Sequence, residues 1–486
     1  MKKLFFLTIF LLFVNFGNSQ TINWGLTTKT LESFSYNWYS KSGTYIGNIN
    51  GFDYYVYYRR AKSSINLSDK INVAFVKVKD NQVIQFTEFI QKDYLKINIQ
   101  VIENKIGIVY LDLGLDINRD VKIDYIDPDL LTIQKTQTLY SYKCNENCNS
   151  YAKFAVSEDK KTFAIMTFAI MSDAKNTGLL IKTFNNDYIE KSETYIADEY
   201  KTYRLYEQLF VNNDGSGYVV ISDYVVGKDN YYLDYIDIIK FNDSDFAKVK
   251  YEEENMYDLN SSYMFQTGKE NAKLVLSNNK NFKIIDLDFN SENVEESQSY
   301  ELKPGNWKID KVIRLENGNL FFSLANQGME IFLSSNSRTI VYFNKSYHFY
   351  CLDASLDNLI YDVKSGRYYS VNEGIQSPEG YLTVPTFYGY KDNNVTLIYN
   401  SDEEYPKKHT EKNGDDDRII TTTATETSLL QKTVIDENGN VKTTVLTNSS
   451  DENGIFVTPF IHVTDDGKII IAKINNKKIT FGTIAQ

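Results

Sequence analysis

An all-β fold is what this sequence predicts, and three observations predict it. Apolar and polar residues alternate step by step through many short runs. Tyr and Phe are abundant, at 38 and 29 residues, and with Val and Ile they favour strands. No long stretch carries apolar residues at the 3.6-residue spacing of a helix. In Leu95–Val101 (LKINIQV) every step swaps an apolar residue for a polar one. Such a strand is expected to bury one face and wet the other.

The same pattern recurs along the chain at Ile71–Val78, Lys105–Leu113, Phe163–Ile170, Tyr218–Ile221, Lys283–Leu287, Leu320–Leu324, Val395–Tyr399 and Lys468–Ile474. Turn chemistry punctuates these runs. SEDKK at Ser157, NNDGSG at Asn212, LENGN at Leu315, DENGN at Asp436 and TDDGK at Thr464 each open an apolar run. KDNQ at Lys79 and KDNN at Lys391 are less regular cousins. Asp, Asn and Gly supply the positive backbone angles that tight hairpins need. Repeated hairpins without Pro- or Gly-rich linkers fit one large repeat architecture, and only six prolines occur in the chain. A long open sheet would leave strand edges exposed, whereas radial blades leave short, protected ones. The sequence therefore predicts a β-propeller of about seven blades, with six or eight as neighbouring counts. Strands around Lys478–Ile484 are expected to complete a blade with Thr21–Leu26 and so join the two ends.

Residues 1–19 read as a secretory signal peptide. Lys2 and Lys3 precede an apolar stretch, Leu4–Val14, and then Gly17-Asn18-Ser19. The apolar stretch is too short for a membrane span. Cleavage before Gln20 leaves 20–486 as a single domain, exported to the periplasm or the cell exterior. No cysteine follows the apolar stretch, so a lipid anchor is not expected, nor is membrane insertion. The formal charge of −12 becomes −14 once the two leader lysines are gone. An acidic surface disfavours nucleic acid and anionic lipid. A monomer is expected. Residues 402–418 are charged and nearly without apolar content, and they read as a polar surface insertion.

Cys144 and Cys148 lie four apart in a polar turn, and Cys351 stands alone. Export permits a small Cys144–Cys148 loop, but the expectation is two free or locally paired thiols without function. The histidines are His348, His409 and His462, and none is near that pair in sequence, so zinc is not expected. The chain has no G-x-S-x-G, H-E-x-x-H, P-loop or dinucleotide fingerprint. No catalytic residue is singled out.

One stretch carries a sharper chemical suggestion. LDINRDVKIDYID, Leu115–Asp127, spaces oxygen donors as a twelve-residue calcium loop does: Asp116, Asn118, Asp120, the Lys122 carbonyl, Asp124 and Asp127. It resembles EF-hand loops and the shorter calcium loops of integrin-type propeller repeats. Val121 departs from the pattern, because position six normally needs Gly for the sharp turn. A β-branched residue at positive φ costs about 1–3 kcal/mol. The expectation is a polar strand connection without tight calcium binding.

Taken together, the spacing, the alternation and this loop give the chain a resemblance to secreted bacterial β-propellers, without a WD or kelch signature. Propellers host binders and enzymes alike. The leading expectation is a non-enzymatic recognition or scaffold protein that binds a protein or a glycan. The alternative is a carbohydrate-active enzyme using paired carboxylates in the channel. Aromatic residues cluster at Tyr36, Trp38, Tyr39, Tyr54, Tyr55, Tyr57 and Tyr58, and again at Tyr347–Tyr350 with Tyr361, Tyr368 and Tyr369. They could stack on a partner, but on blades packed on both faces they are expected in the core.

Overall fold

A computed structural model describes residues 22–29, 40–60, 71–90, 92, 94–102, 104–113, 117–144, 152–170, 178–197, 204–226, 231–252, 259, 261–334, 337–371, 376–377, 380–381, 387–401, 408–413, 416–421, 429–448, 455–456, 460–464, 467–475 and 478–484. The leader 1–19, Tyr36, Trp38, Tyr39, Asp116 and Cys148 lie outside them.

Every regular element of three or more described residues is a strand. The chain opens with β1 (Ile22–Trp24) and β2 (Thr28–Lys29). Blade 1 is then β3 (Ser40–Ile49), β4 (Phe52–Arg60), β5 (Ile71–Lys79) and β6 (Gln82–Phe86). Blade 2 is β7 (Leu95–Ile102), β8 (Lys105–Leu113), β9 (Asn118–Ile126) and β10 (Ile133–Lys143). Blade 3 is β11 (Ala152–Val156), β12 (Thr162–Ala169), β13 (Gly178–Asn185) and β14 (Glu190–Ala197). Blade 4 is β15 (Arg204–Val211), β16 (Gly217–Val226), β17 (Tyr231–Asn242) and β18 (Asp245–Tyr251). Blade 5 is β19 (Ser261–Gln266), β20 (Asn271–Ser277), β21 (Asn281–Asp288) and β22 (Asn293–Glu301). Blade 6 is β23 (Asn306–Arg314), β24 (Leu320–Ser334), β25 (Ser337–Leu352) and β26 (Leu359–Val371).

After a small ribbon, β27 (Gln376–Ser377) with β28 (Gly380–Tyr381), blade 7 begins with β29 (Phe387–Lys391) and β30 (Asn394–Ser401). A second ribbon follows, β31 (Lys408–Asn413) with β32 (Asp416–Thr421), and then β33 (Leu429–Ile435) and β34 (Val441–Asn448) complete the blade. The polar stretch read from sequence as a surface loop thus carries, in its described residues, part of an antiparallel hairpin set between the second and third strands. Blade 8 holds β35 (Ile455–Phe456), β36 (His462–Val463), β37 (Ile469–Asn475) and β38 (Lys478–Ile484), with β1 and β2 outermost on β38.

The protein is an eight-bladed β-propeller, so the count is one above the preferred seven and equals one of the alternatives. Blades 1 to 6 are antiparallel meanders of consecutive strands, while blade 7 admits the β31–β32 ribbon and blade 8 takes its outer strands from the N-terminal segment. Buried clusters fill the seams between blades in ring order. Ile49, Phe75 and Ile108 join blades 1 and 2; Val109, Phe163, Leu179 and Val219 run through blades 2 to 4. Ile238 and Leu274 join 4 and 5, Phe282 and Phe322 join 5 and 6, Phe321 and Leu397 join 6 and 7, and Ile398 and Ile471 join 7 and 8. Tyr55, Tyr57, Phe460 and Phe481 close blade 8 onto blade 1. Each fully buried large apolar side chain contributes about 1.5–3 kcal/mol.

Burial on both faces alters the strand pattern expected from sequence. β12 (TFAIMTFA) is buried at every position, whereas outer strand β14 (EKSETYIA) is mostly exposed or intermediate. A central strand lies between two neighbouring blades and has no wet face, so it reads as a continuous apolar run. The described aromatics of the two clusters follow suit. Tyr54, Tyr55, Tyr57, Tyr347, Tyr350 and Tyr361 are all buried.

The ring is closed by its two ends, as expected for Lys478–Ile484 and Thr21–Leu26. Ile22 pairs with Ile484, Asn23 with Thr483 and Trp24 with Gly482. The Trp24 ring lies across Gly482, where an added Cβ would sit 2.5 Å from a ring carbon, so only glycine allows that packing. Lys473 covers the same ring, with Nζ 4.1 Å from its centroid. Asn81 of blade 1 donates to the Asn23 carbonyl (3.3 Å) and accepts from the Thr483 hydroxyl (2.8 Å), tying the clasp to the next blade.

In blades 1 to 7 the first-to-second and third-to-fourth connections lie on one face of the ring, and several of them are tight turns. Asp80 and Asn81 (φ 49° and 61°), and Asp392 and Asn393 (φ 51° and 60°), take the paired left-handed conformation of a two-residue hairpin. Aspartates cap several of these turns. Backbone N–H donors of Leu130 and Asp129 hold the Asp127 carboxyl below the usual range, and the Lys161 N–H does so for Asp159. The Asn440 amide does the same for Asp436. Burial works against the charge of Asp353, but Asn358, Ser355 and two backbone N–H groups outweigh it and take the group to about 2.

A carboxyl with a depressed folded-state pKa stabilises the fold above its unfolded value, near 3.9, and loses that contribution as pH falls through the folded value. The melting temperature is therefore expected to fall between about pH 4 and about pH 2. Asp353→Asn is expected to flatten that fall; an equally steep profile in the variant would contradict the assignment.

Candidate functional site

The calcium-like residues are laid out along a strand. Asn118, Asp120, Lys122 and Asp124 all belong to β9. At the ~3.3 Å rise of a strand, Asn118 and Asp124 stand roughly 20 Å apart, whereas calcium ligands share one centre at about 2.3–2.6 Å. Asp120, Lys122, Asp124 and Asp127 each have a local partner. Asp120 accepts from Ser141 (2.7 Å), and Lys122 pairs with Asp112 (2.5 Å). The Lys122 backbone sits in the ladder opposite Tyr110 and Thr138. Asp124 is completely buried and accepts from Lys92 (2.6 Å), Tyr94 (2.9 Å) and Thr136 (2.6 Å). Asp127 caps the next turn through the N–H groups of Asp129 and Leu130. Val121 is a buried strand residue, so no glycine turn is needed there. The structure does not bring these residues together. Among the described residues, no group of three His, Cys, Asp or Glu side chains is placed to hold a metal ion.

The described buried histidines serve as ties. His462 stacks flat on Tyr45 (3.8 Å between centroids), contacts the Tyr55 hydroxyl (3.2 Å) and lies 3.4 Å from Asp53, all across the closing seam. His348 bonds Asp362 and stacks on Tyr350 (4.2 Å). Burial pulls its pKa down, against the opposing pull of Asp362. Lysines join neighbouring blades in the same way. Lys77 reaches Asp129 (2.9 Å), Lys240 reaches Glu270 (2.7 Å) and Lys273 reaches Asp357 (2.9 Å). Cys144 is disulfide-bonded, and Cys351 is a buried free thiol raised to about 11 by burial.

One described cavity opens at the tight-turn end of the channel. Its volume is about 640 Å³, and it is lined from the innermost strands of blades 3, 4, 5 and 6. Phe210 comes from β15, Tyr263 and Phe265 from β19 and Arg314 from the end of β23; Glu158 and Asp214 come from the tight turns after β11 and β15. The rings form a continuous aromatic wall. Phe210 meets Tyr263 edge-on at 5.3 Å, and Tyr263 meets Phe265 at 4.9 Å. Arg314 Nε lies 3.6 Å from Glu158, a link from blade 6 to blade 3. Both are exposed, at 46% and 72% of their side-chain surface. The Tyr263 phenol is raised by burial, with the Glu158 charge adding and Arg314 opposing. Asp214 caps its own turn through Ser216 (2.9 and 2.7 Å).

Sequence reading missed this site. Its residues come from four blades, and no local motif unites them. One signal was available. Glu158 sits inside SEDKK, Asp214 inside NNDGSG and Arg314 immediately before LENGN, so the residues flanking first-to-second turns mark the mouth.

No family model matches the chain, and no curated protein matches it. Solved structures match the fold. The Dos1 propeller is 9% identical with a TM-score of 0.41, and the match covers 96% of each chain. Prolyl oligopeptidase B from Galerina marginata is 9% identical with a TM-score of 0.40, over 90% of this chain and 55% of that one. An acylaminoacyl peptidase is 12% identical with a TM-score of 0.39, over 91% and 59%. The chain spans little more than half the length of these two peptidases. At such identities the likeness concerns the fold alone and carries no functional argument.

Proposed function

We propose that this propeller is an exported, non-enzymatic recognition protein that engages a protein or glycan partner at the tight-turn mouth of its channel. One observation carries the reading. Phe210, Tyr263 and Phe265 converge on a cavity whose rim bears both signs of charge. Rigid aromatic walls with a few charged groups are the usual composition of a recognition pocket. The charged groups buried elsewhere are engaged in ties that join strands and blades, as with Asp124 and Lys92.

The test is binding of the chain 20–486 to a glycan array and to a peptide library, beside the variant Phe265→Ala. Removing one stacking ring is expected to weaken any specific ligand about tenfold or more. Ligands that bind both proteins equally would contradict the site. Turnover of a polysaccharide that disappears in Glu158→Gln would replace this reading with the hydrolytic one, in which mouth carboxylates act as acid and base.

A further inference from the structure

We infer that the occupant of the mouth is a polypeptide segment carrying a Lys or Arg among apolar residues, whose cation displaces Arg314 from Glu158. This rests on the recognition reading and names its partner class.

The ion pair is the first ground. Arg314 Nε and Glu158 are 3.6 Å apart, beyond hydrogen-bond distance, with Glu158 largely in solvent and Arg314 about half exposed. Such pairs contribute little to stability, so opening this one costs little. A carboxylate offers several acceptor positions, and a bidentate guanidinium or a close ammonium would use them better than the present contact does. Arg314 thus marks where a foreign cation would sit.

The wall is the second ground. Tyr263 and Phe265 line the same cavity as that carboxylate, whose charge is felt at the Tyr263 phenol, and aromatic faces attract cations as well as apolar groups. The protein already uses this chemistry internally. Lys250 lies 3.6 Å from the centroid of Tyr235, and Lys77 lies 4.2 Å from that of Phe52. Apolar residues flanking the cation would cover the rings of Phe210 and Phe265, which are only partly buried.

Exposure is the third. Glu158 is 72% exposed and Arg314 46%, so the carboxylate is the member of the pair more open to an incoming charge, although the turns around the mouth carry lysines beside their acids. A neutral sugar would use the rings while leaving Glu158 and Arg314 as they are.

Fluorescence anisotropy tests the inference with short labelled peptides that alternate Lys or Arg with Leu and Phe. Controls are the same peptides with Glu or Ser at the basic positions, and a neutral oligosaccharide. The basic peptide alone should bind, and its affinity should fall about tenfold or more between about 50 mM and about 500 mM sodium chloride. Glu158→Gln, an exposed and isosteric change, should weaken it about tenfold, while Arg314→Gln should leave it equal or tighter. Equal binding of the Glu or Ser peptides would overturn the inference, as would an unchanged affinity in Glu158→Gln or no binding of any peptide. An oligosaccharide that binds and is lost in Phe265→Ala would overturn it too, while leaving the recognition reading in place.

Discussion

A chain begun at Thr30, lacking β1 and β2, is expected to melt far below the full protein and to self-associate. Without β1, strand β38 becomes an unpaired edge. Ile22 and Trp24 also leave the cluster that includes Ile398, Leu430, Ile471 and Ile484. Truncating one packed Trp typically costs about 3–5 kcal/mol, so loss of the whole strand should cost on the order of 5 kcal/mol or more. The bared edge offers free N–H and C=O groups to another copy. Thermal melting and size-exclusion chromatography check both halves. An unchanged melt with a monomeric profile would show that β1 does not complete blade 8.

The second large effect is expected at Asp124. Its carboxylate is completely buried and is the shared acceptor for Lys92, Tyr94 and Thr136, with the Tyr110 hydroxyl at 3.5 Å. Lys92 arrives from the connection between blades 1 and 2, so the cluster ties that connection to β9. Asp124→Ala leaves an ammonium and two hydroxyls without their acceptor. Breaking a buried charge pair from one side costs about 3–5 kcal/mol. Asp124→Asn, which keeps the shape and one acceptor, should cost less. Denaturant titration gives both values. A change below about 1 kcal/mol for Asp124→Ala would contradict a structural role. The same residue was a calcium candidate on sequence spacing, and the two roles predict different melts. With Lys92 in place, wild-type melting is expected to be unmoved by millimolar calcium. A rise would return the stretch to the metal reading.

Much of the fold was legible because its central strands are the most apolar runs. The stretches read from sequence as strands fall on β5, β7, β8, β12, β16, β21, β24, β30 and β37, which together mark all eight blades. The count came out at seven because it followed turns, and those recognised by Gly or Asn were a mixture. Asn212 and Leu315 open first-to-second turns, whereas Lys79 and Asp436 open third-to-fourth turns, so the intervals were uneven. Turns such as Asp243-Ser244 carry no Gly or Asn doublet and passed unnoticed.

The calcium-like stretch is ambiguous in sequence for a different reason. Alternate oxygen donors suit a loop that wraps an ion and also suit one polar strand face. Val121 and Ile123, buried between those donors, were the sign of a strand. The channel mouth was not legible at all. Glu158 and Arg314 meet only because the ring brings blade 3 and blade 6 to a common axis, and no periodicity within either blade records that.

Closure of the ring by its own ends is the claim on which the blade order, the seam clusters and the channel mouth all depend. Asn23 and Thr483 are direct register partners across the clasp. Opposed residues in an antiparallel pair have Cα atoms about 4.5–5.5 Å apart, within the range of a disulfide. The double variant Asn23→Cys, Thr483→Cys should therefore oxidise to an intramolecular cross-link. That species should run faster on a non-reducing gel and melt higher than its reduced form. If the two thiols stay free under mild oxidant, or bridge only between separate chains, the ends do not meet and the closed ring is wrong.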